Sequence, residues 1–203
     1  INDYAEDLIK IFGASSVDSF DFSDYEKATY LWDMNIPIDL QYKNKYDLVF
    51  DGGTLEHVFN FPVAIKNAME MLKPGGYFLS ITCCNNFSGH GFYQFSPELF
   101  FRIFTKENGF ELDSIFISER GNWYKVKDPE LVKSRVTFQN CNETYIITLA
   151  KKIEDREIFS SHPYQSDYVT SWNREEKKTK NSFVYKGFRQ LKSIYNKYFI
   201  KYN

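Results

Sequence analysis

Three aspartates stand at the ends of short apolar or β-prone segments in the first quarter of the chain: Asp21, Asp33 and Asp51. In an open α/β sheet, ligands bind beyond the carboxyl ends of the strands. A carboxylate placed there can accept paired hydrogen bonds from ribose hydroxyls, an exocyclic amine or an ammonium group. Short polar residues also close strands without binding anything, but three in succession favour a site for a nucleoside-type cofactor.

A second group of residues has the chemistry of a proton acceptor. His90 lies between Gly89 and Gly91 in a polar segment, and Tyr93 follows it closely. An imidazole with its ordinary pKa of about 6.5 can take a proton from a hydroxyl group, and flanking glycines let the loop approach a ligand. His57 is the alternative base, although a capping or packing role explains it equally well.

The elements that must position these residues alternate along the chain. Tyr46–Asp51 is the clearest strand, because its apolar residues run without alternation, as in a parallel strand covered on both faces. Strands are also predicted over residues 17–21, 29–33, 77–82, 112–118 and 144–150, and helices over 3–12, 60–72 and 96–107. A short helix fits within 119–143. The alternation predicts an α/β sheet.

Composition narrows the classes of protein that fit. The 203 residues suit one domain, and a formal net charge of −2 gives no basic field that would attract nucleic acid. No apolar run reaches the roughly 18 residues of a membrane span, and no signal segment opens the chain, so a soluble cytoplasmic protein is expected. The three cysteines are too few for a disulfide framework and are expected to be reduced.

Two strings resemble class I S-adenosylmethionine-dependent methyltransferases. YDLVFDGGTLEHV at 46–58, which continues to give DGGTLEHVFN, is similar to that family's fourth strand and following turn. MLKPGGYFLSI at 71–81 is similar to its glycine turn and fifth strand. A bacterial subgroup also shows text like GHGFYQFSPELF, here at 89–100, so the resemblance covers about residues 1–150.

The resemblance implies a fold and a cofactor. The fold would be a Rossmann-like, doubly wound, mostly parallel sheet with helices on both faces, and the cofactor S-adenosyl-L-methionine. Asp21 would hold the ribose hydroxyls, and Asp33 with the Met34 backbone would read the adenine edge. The methionine portion would lie beside the residues of the turn after the fourth strand, which are Asp51, Gly52, Gly53 and Thr54.

The chain departs from the family pattern at its start. The family's first strand lies in the centre of the sheet and ends in a glycine-rich turn, and neither is found before residue 3. A sheet without that strand would leave two unpaired edges. The first strand is therefore expected upstream of this chain or missing from it.

A metal is not expected. Some methyltransferases with similar LEHV text bind magnesium through an additional acidic residue three positions before the glutamate. That position is Gly53 here, three residues before Glu56, which leaves two candidate ligands instead of three.

The C-terminal part differs in charge from the rest. Residues 1–152 are expected to form the methyltransferase-like domain, and 153–203 a covering segment with an amphipathic basic helix. Residues 171–203 contain nine Lys or Arg and two Glu, with apolar residues on one helical stripe at Val184, Phe188, Leu191, Tyr195, Tyr198 and Tyr202. The helix can pack on its own domain, pair with a second subunit in a homodimer, or hold an anionic surface. The loop 162–172 can wall an acceptor pocket with its aromatics or simply cover the sheet.

These observations predict an enzyme that transfers a methyl group from S-adenosylmethionine to an oxygen, in preference to a nitrogen, of a small metabolite or sugar. The alternative is a noncatalytic cofactor-binding or scaffold protein that kept the sheet. A nicotinamide-dependent oxidoreductase is a further alternative, but it does not account for the GGTLEHV and LKPGG strings together.

Overall fold

The computed structural model of the protein describes residues 5–175 and 199–202. The first half contains α1 (Ala5–Ile11), β1 (Phe20–Asp21), β2 (Tyr30–Leu31), β3 (Tyr46–Asp51), α2 (Phe61–Met71) and β4 (Leu72–Asn85). The second half contains α3 (Pro97–Ile103), β5 (Phe110–Glu119), β6 (Asn122–Val126), α4 (Pro129–Val132), β7 (Thr144–Lys152), α5 (Ser166–Glu175) and β8 (Phe199–Tyr202). Short 3₁₀ turns cover Leu40–Tyr42, Leu55–His57 and Lys106–Asn108.

The main sheet has six strands in the order β3-β4-β7-β5-β6-β8. β3 and β4 are parallel and joined by α2, whereas the other pairings are antiparallel. The α/β class is confirmed, but the expectation of a mostly parallel sheet is wrong. An uninterrupted apolar run does not specify whether the neighbouring strand is parallel or antiparallel.

A hairpin explains part of this difference. β5 and β6 are joined by Arg120 and Gly121, which have φ of 48° and 76°. Two successive positive φ values form the tight turn whose twist matches an antiparallel pair of strands. The segment 119–143 therefore holds a strand as well as the expected short helix.

A separate two-stranded sheet contains the first aspartate. β1 and β2 are parallel, with Phe20 opposite Tyr30, and among the described residues they pair only with each other. An aromatic cluster centred on Tyr42 packs this small sheet against the start of β3. Lys45 reinforces the contact, since its Nζ lies 3.2 Å from Asp18 Oδ2.

β3 has the predicted bounds but not the predicted surroundings. Leu48 and Phe50 are 44% and 38% exposed, so the expectation of a strand covered on both faces is wrong. Leu48 is the Cα partner of Tyr77 in β4, which is also partly exposed, so this face of the sheet lacks the close cover of the other face. β3 is also an edge strand of the main sheet within the described residues. Its free side faces a cleft of about 870 Å³, whose opposite wall includes residues 12–20. This cleft is called the inter-sheet cleft below.

The core lies on one face of the main sheet. α2 and α3 contribute Ile65 and Phe100 to the same buried cluster, together with Phe78 of β4. On the opposite face of β4, Tyr77 and Ile81 stay partly exposed. Within the described ranges, the helical cover is therefore one-sided at β4, not two-sided as expected.

The described residues include only part of the predicted C-terminal helix. Residues 199–202 form β8, which pairs with β6, so the expected helix is wrong at these four positions. The rest of the predicted basic helix, and the homodimer predicted through it, lie outside the described residues. α5 begins within the segment that was expected to be a loop. Over the stretches 5–175 and 199–202, no helix has the length and apolarity needed to cross a membrane.

Asn67 connects α2 to the chain after β2. Its Oδ1 accepts a hydrogen bond from the backbone N of Ile38 at 2.8 Å, and its Nδ2 donates to Ile36 O at 2.8 Å. The side chain is buried. This amide therefore fixes the loop that carries Asp33 and Met34 toward the helix.

Replacing Asn67 with Ala leaves the buried N–H of Ile38 unpaired and removes the donor to Ile36 O. We expect Asn67→Ala to lower the free energy of unfolding by about 2 kcal/mol, measured by urea denaturation. Lys66→Ala, on the neighbouring helix position, is the matched control and is expected to change it by about 0.5 kcal/mol or less. Equal effects of the two substitutions would contradict the role given to Asn67.

Candidate functional site

Asp51 ends β3 and organises the turn that follows it. The carboxylate is 7% exposed. Its Oδ1 accepts from the backbone N atoms of Thr54 and Leu55 at 2.9 and 3.2 Å, and its Oδ2 accepts from Ser80 Oγ at 2.7 Å. Gly53 has a φ of 107°, a conformation that a side chain would strain. One buried carboxylate thus shapes the whole turn.

Burial also changes the acidity of this group. Desolvation raises the pKa of the Asp51 carboxyl above its ordinary value of 3.8, and the negative charge of Glu56 adds to the rise. The hydrogen bonds from Ser80, Thr54 and Leu55 act in the opposite direction. Most of the hydrogen-bonding capacity of Asp51 is already used by its own chain.

Directly after this turn, three titratable side chains meet. Glu56, His57 and His90 place one ligand atom each within 4.8 Å of the others, and we call them the histidine–carboxylate cluster. Glu56 is 2% exposed; its Oε2 accepts from Thr82 Oγ1 at 2.6 Å, and its Oε1 lies 3.7 Å from His90 Nε2. The two imidazole rings are 4.9 Å apart between centroids.

Backbone hydrogen bonds bring the loop after β4 back to Glu56. The N atoms of Phe92 and Tyr93 both donate to Glu56 O, at 2.9 and 3.2 Å. A Cβ at Gly91 would lie only 2.8 Å from Glu56 O and 3.1 Å from His57 Nδ1. Glycine at 91 therefore permits close contact, which is a different role from the flexibility expected of it.

The predicted catalytic residues do not share one role. The structure brings His57 and His90 together, although they are far apart in sequence. Tyr93 donates its hydroxyl to Phe59 O at 2.6 Å, and its ring packs near Phe61. The phenol group thus fastens the loop. Catalysis by any of the three remains a prediction.

The predicted cofactor residues are divided between two places. Among the described residues, the walls of the inter-sheet cleft include Met34, Asp51 and Thr54 but not Asp21 or Asp33. Gly52 and Gly53 belong to the turn beside the cleft and are not among its walls either.

Asp21 and Asp33 each close a local turn. Asp21 Oδ1 accepts from the backbone N of Ser23, and Asp33 Oδ1 accepts from the backbone N of Asn35, both at 2.8 Å. Within residues 5–175 and 199–202, Oδ2 of each aspartate accepts no hydrogen bond. These oxygens lie at the carboxyl ends of β1 and β2.

Sequence reasoning missed the residues that satisfy the two buried carboxylates. Ser80 and Thr82 occupy alternate positions of β4 and point to the same side of the sheet, toward Asp51 and Glu56. The available signal was two hydroxyl residues spaced by two in an apolar strand. Cys84 lies just beyond them, and burial raises the pKa of its thiol to about 12, so it stays protonated.

Comparison with known proteins adds little to this geometry. No protein-family model and no curated protein matches the chain. Among solved structures, it is similar to a provisionally assigned methyltransferase from Bacillus halodurans. That match is 14% identical, covers 73% of this chain and 86% of the other, and has a TM-score of 0.41. A match with this TM-score and identity carries no conclusion about the activity of the protein.

The raised pKa of Asp51 makes stability depend on pH. Between the ordinary pKa of 3.8 and the higher folded value, the folded protein binds more protons than the unfolded chain. The free energy of unfolding therefore falls as pH rises through this window. Asp51→Asn keeps an oxygen for Thr54 and Leu55 and an amide for Ser80, and it removes the charge.

We expect Asp51→Asn to gain stability relative to the wild type as pH rises from about 4 to about 7, measured by urea denaturation at several pH values. Asp24→Asn, in the exposed β1–β2 connection, is the control and is expected to show no such relative gain. Parallel stability curves for Asp51→Asn and the wild type would contradict the burial of an ionised carboxylate.

Proposed function

We propose that the protein is an S-adenosylmethionine-dependent methyltransferase that acts on an oxygen of a small metabolite or sugar. The observation that carries the proposal is the histidine–carboxylate cluster, which begins two residues after Thr54 in the wall of the inter-sheet cleft. A candidate cofactor cleft and a candidate proton acceptor are thus joined by one short turn. The resemblance of GGTLEHV and LKPGG to methyltransferase motifs supports the choice of cofactor.

The inter-sheet cleft suits a nucleoside-sized ligand in volume. Its 870 Å³ falls within the range of about 300–1,000 Å³ that is usual for small-molecule sites. Met34 and Thr54 would contact the cofactor there, while Asp51 would hold the turn in shape. For Asp21 and Asp33 to take part, the cofactor must extend from the cleft over the carboxyl ends of β1 and β2. Their second carboxylate oxygens suit the ribose hydroxyls and the adenine amine.

When bound, S-adenosylmethionine supplies a methyl group on a positively charged sulfur. The protein then has two tasks, which are to orient the acceptor hydroxyl and to accept its proton. His90 suits the second task, because its side chain is 46% exposed while one edge faces Glu56 at 3.7 Å. The acceptor proton passes to a nitrogen of the imidazole, and the Glu56 carboxylate stabilises the charge that forms.

A noncatalytic cofactor-binding or scaffold protein is the second candidate. It is favoured by one observation, namely that Asp21 and Asp33 already use one carboxylate oxygen each in local turns. On this alternative the sheet is kept for its shape, and the two histidines of the histidine–carboxylate cluster have no substrate.

Cofactor binding is tested by calorimetry on the full chain with S-adenosylmethionine. We expect micromolar binding that Asp21→Asn and Asp33→Asn each weaken by about tenfold, through the loss of a charge-assisted hydrogen bond. Asp24→Asn is the matched control and is expected to bind like the wild type. A folded chain that gives no heat of binding would favour the scaffold.

The role of His90 is tested by turnover. We expect His90→Ala to lower the release of S-adenosylhomocysteine by about 10²- to 10⁴-fold, measured with a panel of sugars and hydroxylated metabolites. Cofactor affinity should stay unchanged. His162→Ala replaces an exposed histidine outside the cluster and serves as the control. Unchanged turnover in His90→Ala would remove this residue from the mechanism.

A further inference from the structure

Glu56 is a buried acid without a fixed positive partner among the described residues. Within 5–175 and 199–202, its only ion-pair contact is with His90, and no Lys or Arg reaches it. Burying an ionised carboxylate is costly unless a charge or a metal ion compensates for it. Oε2 accepts a hydrogen bond from Thr82 Oγ1, whereas Oε1 lies on the side of the histidines, 3.7 Å from His90 Nε2.

The spacing of the cluster is close to that of a metal site. The three ligand atoms of Glu56, His57 and His90 lie within 4.8 Å of one another, and the Glu56–His90 separation is 3.7 Å. Tetrahedral bonds of about 2.0–2.2 Å place ligand atoms about 3.3–3.6 Å apart. Since both histidines are exposed, small rotations of their side chains would close the difference.

We propose that Glu56, His57 and His90 bind a divalent first-row transition cation such as Zn²⁺. Two imidazoles and one carboxylate are ligands that suit zinc, iron, cobalt or nickel, whereas Mg²⁺ and Ca²⁺ prefer oxygen alone. Three protein ligands leave an open coordination position, as in catalytic zinc sites. The proposal does not rest on methyl transfer.

The surroundings of the cluster hold its ligands as metal sites require. Thr82 fixes the carboxylate through Oε2, which leaves Oε1 directed toward the histidines. The hydrogen bonds from Phe92 and Tyr93 to Glu56 O hold the His90 loop in place. A metal was not expected from the sequence because only residues close to His57 in the chain were considered as ligands. The third ligand comes instead from the loop that follows β4.

The cation and a proton are alternatives at His90, because both use an imidazole lone pair. A bound cation would lower the pKa of a water molecule in the open position toward neutral pH. In the metal-free protein, His90 remains available as the base. Chelation therefore separates the two states of the site.

The test is calorimetric titration of metal-stripped, full-length protein with Zn²⁺, and with Co²⁺ followed by its visible absorption. We expect one cation per chain, with affinity lowered about 100-fold or more in Glu56→Gln and in His90→Gln. Glu56→Gln keeps the acceptor for Thr82, and His90 is exposed, so the second variant is expected to fold. Circular dichroism verifies that both variants are folded.

Two controls identify adventitious binding. His162→Gln removes the remaining histidine of the chain, and Cys141→Ser removes the exposed thiol. Both are expected to bind Zn²⁺ like the wild type. The proposal would be overturned if Glu56→Gln and His90→Gln bind Zn²⁺ like the wild type, or if either control loses binding. Either result would mean an adventitious ion only. S-adenosylmethionine titrations of the same samples are read separately, so failure of either proposal is distinguishable.

Discussion

Two carboxylates buried at the end of one strand are the constraint on which the site depends. Asp51 and Glu56 cannot leave water without hydrogen-bond donors, and β4 supplies them through Ser80 and Thr82 at 2.7 and 2.6 Å. The donors are correctly placed because Asp51 is paired with Ser80 in the parallel register of β3 and β4. A slip by one residue would turn both hydroxyls to the other face of the sheet. Strand register and site geometry are therefore one requirement.

Local sequence signals predicted local structure well. β3 has the predicted bounds, and α2 lies within the helix predicted from its apolar spacing and Pro62. The pairing of strands and the surroundings of each strand could not be predicted in the same way. The apolar run in β3 gives no sign that its free side faces a cleft, and β7 lies between β4 and β5 through pairings far apart in sequence.

The candidate site shows the same division. His57 and His90 were identified separately by residue type and flanking glycines, but their meeting depends on a loop that is hydrogen-bonded to Glu56 O. Asp21 and Asp33 were expected to share the rim of one sheet with Asp51. They sit instead on or just after the small separate sheet and close their own turns. Residue type identified possible ligands, whereas long-range hydrogen bonds decided which of them came together.

The free edge of β3 also affects how the chain behaves in concentrated solution. Within the part of the chain that the structure describes, β3 pairs on one side only, and Leu48 and Phe50 are exposed. Such a strand edge is a template onto which another extended chain can add. Asp47 directly precedes these apolar residues, and its carboxylate pairs with Lys73 at 3.0 Å. A charged side chain on an open edge discourages such addition. The Asp47–Lys73 pair is exposed and contributes little to stability, so its expected effect is on association between chains rather than on folding.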